Sequence, residues 1–493
     1  MLLLTLTRHG PTPLHQQITD QIRGLIDRGS LPIGSALPPT RKLAEHLGVN
    51  RTTIYRAYEE LWSLGYVEGR PGSYSRVRGR APMAPPGAPA SAGLISWDSR
   101  VSPGSADAHR TYLGFSPEGN HSTPDAVDFS RLDMDQRFIP AESFRRCTNT
   151  VLRREGANLL CYGPRAGYWP LREYLARRMQ IHGIQVSPDE IFISNGSQHG
   201  LDLLVRILAT PGRGVVVEAP TYAMMIPLLR LHGAEIIPIS MNSDGMDLEQ
   251  LERTLARRDV GFVYTMPNFQ NPTGVSTTQD HRERLLALCE HHRVPVVEDG
   301  FEEEMKYFGK VSLPIKSMDT RGVVIYLGTF SKILMPGLRI GWVAADRGCI
   351  EHLVAVRRFA DLSPTALLHA ALTEFCQRGL YDLHVRRLHR MYRKRMRVTL
   401  QAMREHVPPD LATWSEPGGG YLIWVELTRC ARFPEEVYAH IAQSGVIVSP
   451  GPYYFIEPPT RPCFRLSIAA VDERRIEEGM RRLGRAIRDI SGS

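Results

Sequence analysis

One lysine of this chain stands in a loop whose composition suits covalent chemistry beside a phosphate group. Lys332 follows Thr329 by three residues and Ser331 by one, and Arg339 comes seven residues after it. A lysine amine forms Schiff bases with carbonyl compounds, and hydroxyl and guanidinium groups bind phosphate oxygens. A lysine in a Ser/Gly loop is more often a plain surface residue, so the interpretation depends on the whole combination.

An acidic side chain precedes this lysine by 33 residues. Asp299 ends the apolar run Val296–Glu298, which has the pattern of a buried strand. Ligands of parallel sheets sit beyond the carboxyl ends of the strands, so Asp299 is a candidate partner for a cationic ring nitrogen. Without Lys332, an ordinary loop aspartate would be the better interpretation.

Three further strand ends have side chains that suit a phosphorylated aromatic ring. Ser197 and Gln198 open a predicted helix after a short apolar run, and backbone N–H groups at a helix start bind phosphate. Tyr222 ends another strand, where its ring is placed to stack, and Asn271 offers an amide to a ring hydroxyl. A simple helix cap and a packed core tyrosine are the ordinary alternatives for the first two sites.

An amine, an acid at a ring nitrogen, a phosphate cradle and a stacking ring are what a pyridoxal phosphate enzyme requires. In their order along the chain, these sites resemble the fold-type I aminotransferase family over residues 126–493. The agreement extends to Tyr162-Gly163, Pro417-Gly418-Gly419-Gly420-Tyr421, Ser449-Pro450-Gly451 and Phe464-Arg465-Leu466-Ser467.

This resemblance implies a role for each residue. Lys332 is the Schiff-base and catalytic lysine, and Asp299 pairs with the ring nitrogen. Asn271 binds the ring hydroxyl and Tyr222 stacks on the ring. Arg465 would hold the α-carboxylate of an amino compound through two hydrogen bonds. The phosphate would lie among Ser197, Gln198, Thr329, Ser331 and Arg339.

One position departs from the family. Its members usually have a tyrosine shortly after the ring aspartate, as a donor to the ring hydroxyl, whereas this chain has Phe301. Altered cofactor chemistry is therefore one expectation, although Asn271 is placed to serve the same hydroxyl.

The first 80 residues have a different pattern. Apolar spacing predicts helices over 14–29, 40–47 and about 51–64, and two short strands, 66–68 and 74–77. Gly48 suits the end of the second helix, and Asn50 suits the cap of the third. Three helices and a hairpin in this order form a winged helix-turn-helix, whose last helix enters the major groove of DNA.

This segment resembles a GntR-type winged helix over nearly its whole length. The resemblance implies binding of double-stranded DNA, and Tyr55 stands where some relatives have Arg, which bears on base specificity. A winged helix used only for protein contact is the alternative. The predicted DNA-binding residues are Arg41, Asn50, Arg51, Thr52, Thr53, Tyr55, Arg70 and Gly72.

The composition and the net charge of the chain indicate the class of protein and the kind of partner. The chain has 493 residues, of which 42% are apolar and 23% charged, so we expect a globular protein of at least two domains. Of the net charge of +8, residues 1–80 hold +5, from 11 Lys/Arg and 6 Asp/Glu. A basic head on a nearly neutral body suggests a polyanionic partner, although a solvated basic surface has the same charge.

The sequence disfavours disulfide-rich, zinc-binding, membrane and secreted proteins. The seven Cys occur singly without a C-x-x-C pair, which predicts neither a disulfide framework nor a zinc site. No apolar run approaches the roughly 18 residues of a membrane span, and the start lacks the features of a secretory signal. We therefore expect a cytoplasmic protein with no membrane or metal partner.

Changes in composition and in apolar periodicity along the chain divide it into domains. Residues 1–78 form the head, 79–125 a linker rich in Pro, Ala and Gly, and 126–493 the body. Alternating strand and helix patterns in the body predict an α/β domain with a largely parallel sheet, followed by a long helical stretch at 363–404 and an α+β tail. The predicted buried strands are 215–218, 261–266, 294–298, 323–327 and 340–344.

A GntR-type head on an aminotransferase-like body is the arrangement of the MocR family of transcriptional regulators. This resemblance implies a homodimer, with a head-to-tail arrangement as one option, and a signal that is a small amino compound or pyridoxal phosphate itself. One alternative is an active aminotransferase of an amino acid with an appended head, which the intact Lys332, Asp299, Asn271 and Arg465 favour and Phe301 disfavours. Another is a body that serves only as a dimerisation scaffold.

Overall fold

The computed structural model describes residues 2–8, 10–69, 75–78, 95–115, 125–210, 212–301, 304–309, 312–430 and 432–491. The chain divides into two compact units, Met1–Ser99 and Arg100–Ser493. Arg70 and Gly72, at the predicted hairpin tip, lie outside the described residues.

The first unit is a winged helix-turn-helix. Its core is formed by apolar side chains from all three helices, and Ile18, Ile22, Ile54 and Leu61 are fully buried there. Both strands are shorter than predicted, with two residues each. The elements are α1 (Leu14–Asp27), α2 (Thr40–Leu47), α3 (Arg51–Ser63), β1 (Val67–Glu68) and β2 (Arg76–Val77).

An extended N-terminal arm, residues 2–8, is tied to α1 by glutamine side chains. Gln21 accepts from the Thr5 N–H at 2.9 Å and donates to the Thr5 carbonyl at 2.6 Å. Gln17 makes the same pair of bonds with Thr7, at 2.9 and 3.1 Å. Leu2 is buried against the core of the head. The amide groups thus substitute for a neighbouring strand, and the sequence analysis did not foresee this arm.

The second unit contains an eight-stranded sheet with strand order β4-β11-β10-β9-β8-β5-β6-β7, and a four-stranded antiparallel sheet with order β12-β13-β16-β15. In chain order its elements are α4 (Pro103–Phe115), β3 (Val127–Asp128), α5 (Ala141–Glu155), α6 (Trp169–Met179), β4 (Ile191–Ser194), α7 (Ser197–Leu208), β5 (Gly214–Ala219), α8 (Met225–Leu231), β6 (Glu235–Asn242), β7 (Gly245–Met246), α9 (Leu248–Arg257), β8 (Val260–Thr265), α10 (Gln279–His292), β9 (Val296–Asp299), β10 (Val324–Thr329), β11 (Gly341–Ala344), α11 (Arg347–Ala360), α12 (Ala366–Gln377), α13 (Leu380–His406), β12 (Ala412–Trp414), β13 (Leu422–Leu427), α14 (Pro434–Gln443), β14 (Val446–Ile447), β15 (Ser449–Pro450), β16 (Cys463–Ser467) and α15 (Glu473–Ser491).

The large sheet is mostly parallel, as predicted. β6, β5, β8, β9 and β10 are joined by parallel ladders, whereas β11 runs antiparallel to both of its neighbours, β10 and β4. β4 therefore has the same direction as the parallel strands. Because parallel strands covered on both faces are apolar along their whole length, they appear in the sequence as unbroken apolar runs.

Two segments differ from the expectation. The stretch 363–404 is two helices, α12 and α13, because Gly379 takes a left-handed φ of 69° between them. Residues 103–115, inside the predicted linker, form α4, which begins at a proline as helices often do. Gly104 lies so close to α8 that a Cβ there would be 2.5 Å from the Leu231 carbonyl oxygen, so α4 packs on the body.

Three further findings concern only the part of the chain that the structure describes. No helix there is long and apolar enough to cross a membrane. No group of three or more His, Cys, Asp or Glu side chains there is placed to hold a metal ion. The Cys residues have free thiols.

Candidate functional site

The predicted site residues of the body meet at one edge of the large sheet. Since β4, β5, β8, β9 and β10 share one direction, their carboxyl ends lie side by side. The segments that leave these ends hold Ser197, Tyr222, Asn271, Asp299 and Lys332, respectively. Arg339 returns to the same edge, two residues before β11 begins.

Asp299 is buried at the end of β9. Its Oδ2 accepts a hydrogen bond from the Tyr264 hydroxyl at 2.9 Å, and its Oδ1 is buried without a partner. Burial raises the pKa of Asp299 to about 6, against hydrogen bonds from Tyr264 and the Phe301 backbone that lower it. A buried carboxylate oxygen without a donor fits a cationic ring N–H, so the residue has the geometry that its predicted role requires.

Residues predicted to bind phosphate meet where α7 begins, and we call this group the phosphate cradle. The first residue of α7, Ser197, follows Gly196, whose φ is 86°. A Cβ at Gly196 would lie 2.5 Å from Arg339 Nη2, so the guanidinium lies directly over the start of the helix. The free N–H groups of a helix start and a guanidinium are both ligands of phosphate.

The hydroxyls predicted for the phosphate lie around Arg339. Its Nη1 donates to Ser331 Oγ at 3.3 Å, and the Ser331 N–H donates to Thr329 Oγ1 at 3.1 Å. Gln198, in the first turn of α7, has a buried Oε1 without a partner. The five predicted phosphate ligands thus come from two segments that Arg339 joins.

Lys332 is half-buried in the loop between β10 and β11. The carbonyl of the next residue, Ile333, accepts a hydrogen bond from His384 Nε2 of α13 at 2.8 Å. Burial lowers the pKa of His384, although this bond opposes the shift. The loop is therefore fastened to α13 one residue beyond the lysine.

Tyr222 is half-buried beside the charged groups of the pocket. Burial raises the pKa of its phenol, and the Asp299 carboxylate raises it further, while Arg465 and Arg339 oppose the shift. The Tyr222 hydroxyl therefore stays protonated at neutral pH. The charges of all three residues therefore act on the Tyr222 phenol.

Arg465 is buried on β16 and reaches the same edge. Its Nη1 donates to Asn271 Oδ1 at 3.0 Å, and its Nη2 donates to the Ser130 carbonyl at 2.7 Å. The guanidinium lies 5.3 Å from the ring centre of Tyr454. Two of its five N–H groups are used in these bonds, and Nε is buried without a partner.

A buried hydrogen-bond network that was not predicted from the sequence lies beside Asn271. Glu218, buried in β5, accepts from Thr265 Oγ1 at 2.6 Å and from Gln270 Nε2 at 3.0 Å. Gln270 Oε1 in turn accepts from Thr273. An acidic residue at the end of the apolar run 215–217 is the one sequence signal that could have pointed to Glu218. Burial raises its pKa to about 7.

In the head, the described members of the predicted DNA-binding set lie on α2, on α3 and in the turn between them. Asn50 Oδ1 accepts from the Thr52 N–H at 3.1 Å and caps α3, as predicted. Gly48 ends α2 in the left-handed conformation, with φ 61°. Thr53 is half-buried, and the exposed members of the set are Arg41, Asn50, Arg51, Thr52 and Tyr55.

Arg8 is a further cation at this turn. Its Nη2 donates to the Gly48 carbonyl at 3.0 Å, and the side chain is exposed. The N-terminal arm therefore adds a positive charge to the same face of the helix-turn-helix. The alternating Leu2, Leu4 and Leu6 were the available sequence signal for this arm.

The two units define a class of protein: a winged-helix DNA-binding head joined in one chain to a body with the fold-type I architecture of pyridoxal phosphate-dependent transferases. Residues 131–483 match the model of the aminotransferase class I and II family, and residues 14–77 match the model of the gntR family of bacterial regulatory proteins. The chain belongs to the class I and II aminotransferase family, and it is a GntR-type transcriptional regulator of the MocR arrangement.

Relatives with both domains match over nearly their whole length. The HTH-type transcriptional regulator YdcR of Escherichia coli K12 is 30% identical, over 96% of this chain and 99% of the relative. The probable rhizopine catabolism regulatory protein MocR of Rhizobium meliloti is 29% identical, over 100% and 97%. The α-aminoadipate aminotransferase LysN of Thermus thermophilus, solved with N-(5'-phosphopyridoxyl)-L-leucine, superposes with a TM-score of 0.72 at 30% identity, over 80% of this chain and 99% of that structure.

Proposed function

We propose that the regulator senses its signal at the sheet edge, where pyridoxal phosphate binds through Lys332 and an amino compound, or the cofactor itself, sets the affinity for DNA. The observation that supports this most is the convergence of Lys332, the partnerless Oδ1 of Asp299 and the Arg339 cradle at one edge of the sheet. The same chain has a DNA-binding head.

The residues present fit the cofactor. Lys332 would hold its aldehyde carbon, Asp299 Oδ1 would accept from the ring N–H, and the start of α7 with Arg339 would hold the phosphate. Pyridoxal phosphate supplies an electron-withdrawing ring to an amine bound on it. Tyr222, kept neutral by burial, covers the ring, and Asn271 offers its amide N–H to the ring hydroxyl that Phe301 does not serve.

Arg465 is the proposed recognition group for the signal. Three of its N–H donors are left after its bonds to Asn271 and Ser130, enough for a carboxylate. Because Asn271 Oδ1 binds Arg465, a carboxylate that moves the guanidinium also moves the proposed ring ligand. Such a ligand controls DNA binding only if it has different free energies of binding in two states of the protein.

We further propose that two bodies pair across the face beside the phosphate cradle. Three large exposed side chains of the body suit such a contact: Leu160 (70% exposed), Tyr162 (83%) and Phe359 (87%). Gly163 packs against Ala366, near a cavity of 330 Å³ that Arg339 and Pro364 help to line. A contiguous apolar patch of such side chains is typical of a contact surface. In sedimentation, Phe359→Glu should give a monomer where the parent chain is a dimer.

The test joins absorption spectroscopy to DNA binding. Purified protein with pyridoxal phosphate should show the visible band of the lysine-bound cofactor, and a panel of amino acids should identify one that shifts it and changes the affinity for operator DNA. Lys332→Ala should lose the band and the response, and keep non-specific DNA binding. Retained ligand control in Lys332→Ala would exclude the proposal.

Active transamination is the second candidate, because the Lys332, Asp299, Asn271 and Arg465 set is complete in the pocket. A steady-state assay with amino donors and an oxo-acid distinguishes the two. Multiple turnovers per body would support the enzyme, whereas spectral change without turnover would support a sensor.

A further inference from the structure

The outward face of α13 is a stripe of cations. Arg386, Arg390, Arg393, Lys394, Arg397 and Arg404 are all exposed, and we call them the α13 basic face. Their spacings place them on one side of a helix of 3.6 residues per turn. The opposite side is buried, as Leu388, Met396 and Met403 show.

The positive charge of α13 is not typical of the rest of the body. α13 has eight Lys/Arg and two Asp/Glu, Asp382 near its start and Glu405 near its end, a net charge of +6. Residues 81–493 together sum to only +3, so the rest of that part of the chain is net acidic by 3. The positive charge is therefore concentrated on one helix.

The protein itself neutralises little of this face. Lys394 lies 3.5 Å from Glu473, and Arg404 pairs with Glu416. Arg386, Arg390 and Arg397 have no ion pair within the described ranges. Unpaired cations in a row repel one another, which is a cost that an anionic partner removes.

α15 widens the positive surface. It runs beside α13, so close that a Cβ at Gly484 would touch the His406 carbonyl oxygen. Arg488 donates to that same carbonyl at 3.2 Å. Arg481 and Arg485 are exposed on α15. Exposed cations of α15 therefore lie on a helix that packs against the carboxyl end of α13.

We propose that the α13 basic face binds the phosphate backbone of DNA, as a second, sequence-independent contact besides the head. Arg386 and Arg404 are 18 residues apart, roughly 27 Å at about 1.5 Å per residue, which is the length of about eight base pairs at about 3.4 Å each. Guanidinium groups are well suited to phosphate oxygens.

DNA fits this face better than an anionic membrane does. Helices that lie on lipid have a broad apolar face beside their cations. On α13, which is described throughout, Leu383 is the one large apolar side chain that is exposed, at 44%. The chain also has a DNA-binding domain, so DNA is the polyanion that it meets.

The experiment compares two variants of the full chain that lose the same charge. Arg386→Gln/Arg390→Gln/Arg397→Gln removes three cations of the face that have no ion pair among the described residues, and it leaves Arg393, which lies over the Phe308 ring. Arg177→Gln/Arg284→Gln/Arg429→Gln removes three exposed cations elsewhere on the body. Each variant is titrated onto a labelled duplex of random sequence, about three helical turns long, over a series of KCl concentrations around physiological ionic strength. Equal melting temperatures check that both variants fold.

Since each phosphate contact contributes about 0.9 to the slope of log affinity against log salt, the face variant should lose about 2 to 3 from this slope. At about 0.1 M salt its affinity should fall by roughly tenfold or more relative to the control variant. An affinity and slope equal to those of the control would overturn the proposal. Loss of binding to phosphatidylserine vesicles with unchanged DNA binding would also overturn it, in favour of a lipid surface.

Discussion

Tyr264 donates its hydroxyl to Oδ2 of Asp299 at 2.9 Å, while Oδ1 is buried without a hydrogen-bond partner. Tyr264 stands on β8 and Asp299 on the adjacent β9. A bond across two neighbouring strands therefore orients the acid and holds it partly ionised against the cost of burial.

Tyr264→Phe should weaken binding of pyridoxal phosphate. Without the hydroxyl, the pKa of Asp299 rises above its value of about 6, and less carboxylate is available to the ring N–H. Loss of a hydrogen bond to a charged group costs about 1.5–3 kcal/mol, so we expect a Kd roughly tenfold higher or more, in absorbance titrations near neutral pH. Tyr438→Phe, which removes a bond to the Cys463 carbonyl instead, is the control. Equal Kd values for the two variants would contradict this role of Tyr264.

Gly196→Ala should damage the phosphate cradle. Its Cβ would lie 2.5 Å from Arg339 Nη2, and its φ of 86° strains any other residue. Gly212 has a φ of 88° with nothing within 4 Å of its Cβ position, so Gly212→Ala has the same strain without the collision. We expect a rise in the Kd for pyridoxal phosphate of about tenfold, the equivalent of about 1.4 kcal/mol, in Gly196→Ala only. A similar rise in Kd for both variants would mean that backbone strain, and not the collision with Arg339, causes the effect.

Glu218 should make the cofactor-free protein less stable as the pH rises. Its pKa is raised from 4.5 to about 7, so the folded state binds this proton more tightly than the unfolded state does. The free energy of unfolding then falls between about pH 4.5 and 7, by about 3 kcal/mol from this group. Asp299 acts in the same direction up to about pH 6. The free energy of unfolding is measured by urea titration and plotted against pH. Glu218→Gln should flatten this curve between about pH 6 and 7, whereas Glu477→Gln, at an exposed position, should not. Parallel curves for the parent protein and both variants would refute the assignment to Glu218.

Asn50 has two proposed roles that substitution can separate. As the cap of α3, its replacement by Ala should cost about 1 kcal/mol and replacement by Gly only a few tenths. If Asn50 contacts DNA, both variants lose that contact, so both should bind DNA equally weakly. We expect thermal unfolding of the head to distinguish Asn50→Ala from Asn50→Gly, while anisotropy with operator DNA shows the same weakening for both. Near-normal affinity in Asn50→Gly would leave Asn50 as a cap alone.

Local patterns predicted most of the fold. The limits of α2 follow from apolar spacing and from Gly48. The unbroken apolar runs predicted the parallel strands β5, β8, β9 and β10, but not β6. The antiparallel direction of β11 was not predictable, because an apolar run looks the same in either direction. Residues 103–115 lack a wide apolar face of their own, and their helix depends on packing against α8.

The pocket was predicted where function constrains residue type at fixed spacing, as at Lys332 and Arg339. Residues that act through others were missed. Tyr264 looks like any aromatic residue of a strand, and Gln270 looks like a loop residue until its bonds to Glu218 and Thr273 are seen. These contacts join segments that are far apart in the chain, so no local pattern records them.

α13 is one continuous helix of 27 residues, roughly 40 Å long at about 1.5 Å per residue. It contains neither Pro nor Gly, the residues at which helices usually kink. One flank holds the peptide next to Lys332 through His384, and the other displays the row of cations. Because the helix has no break, any displacement of its His384 end would shift the whole row of cations without changing the spacing between them. The contact beside the pocket lysine and the α13 basic face therefore belong to one rigid element.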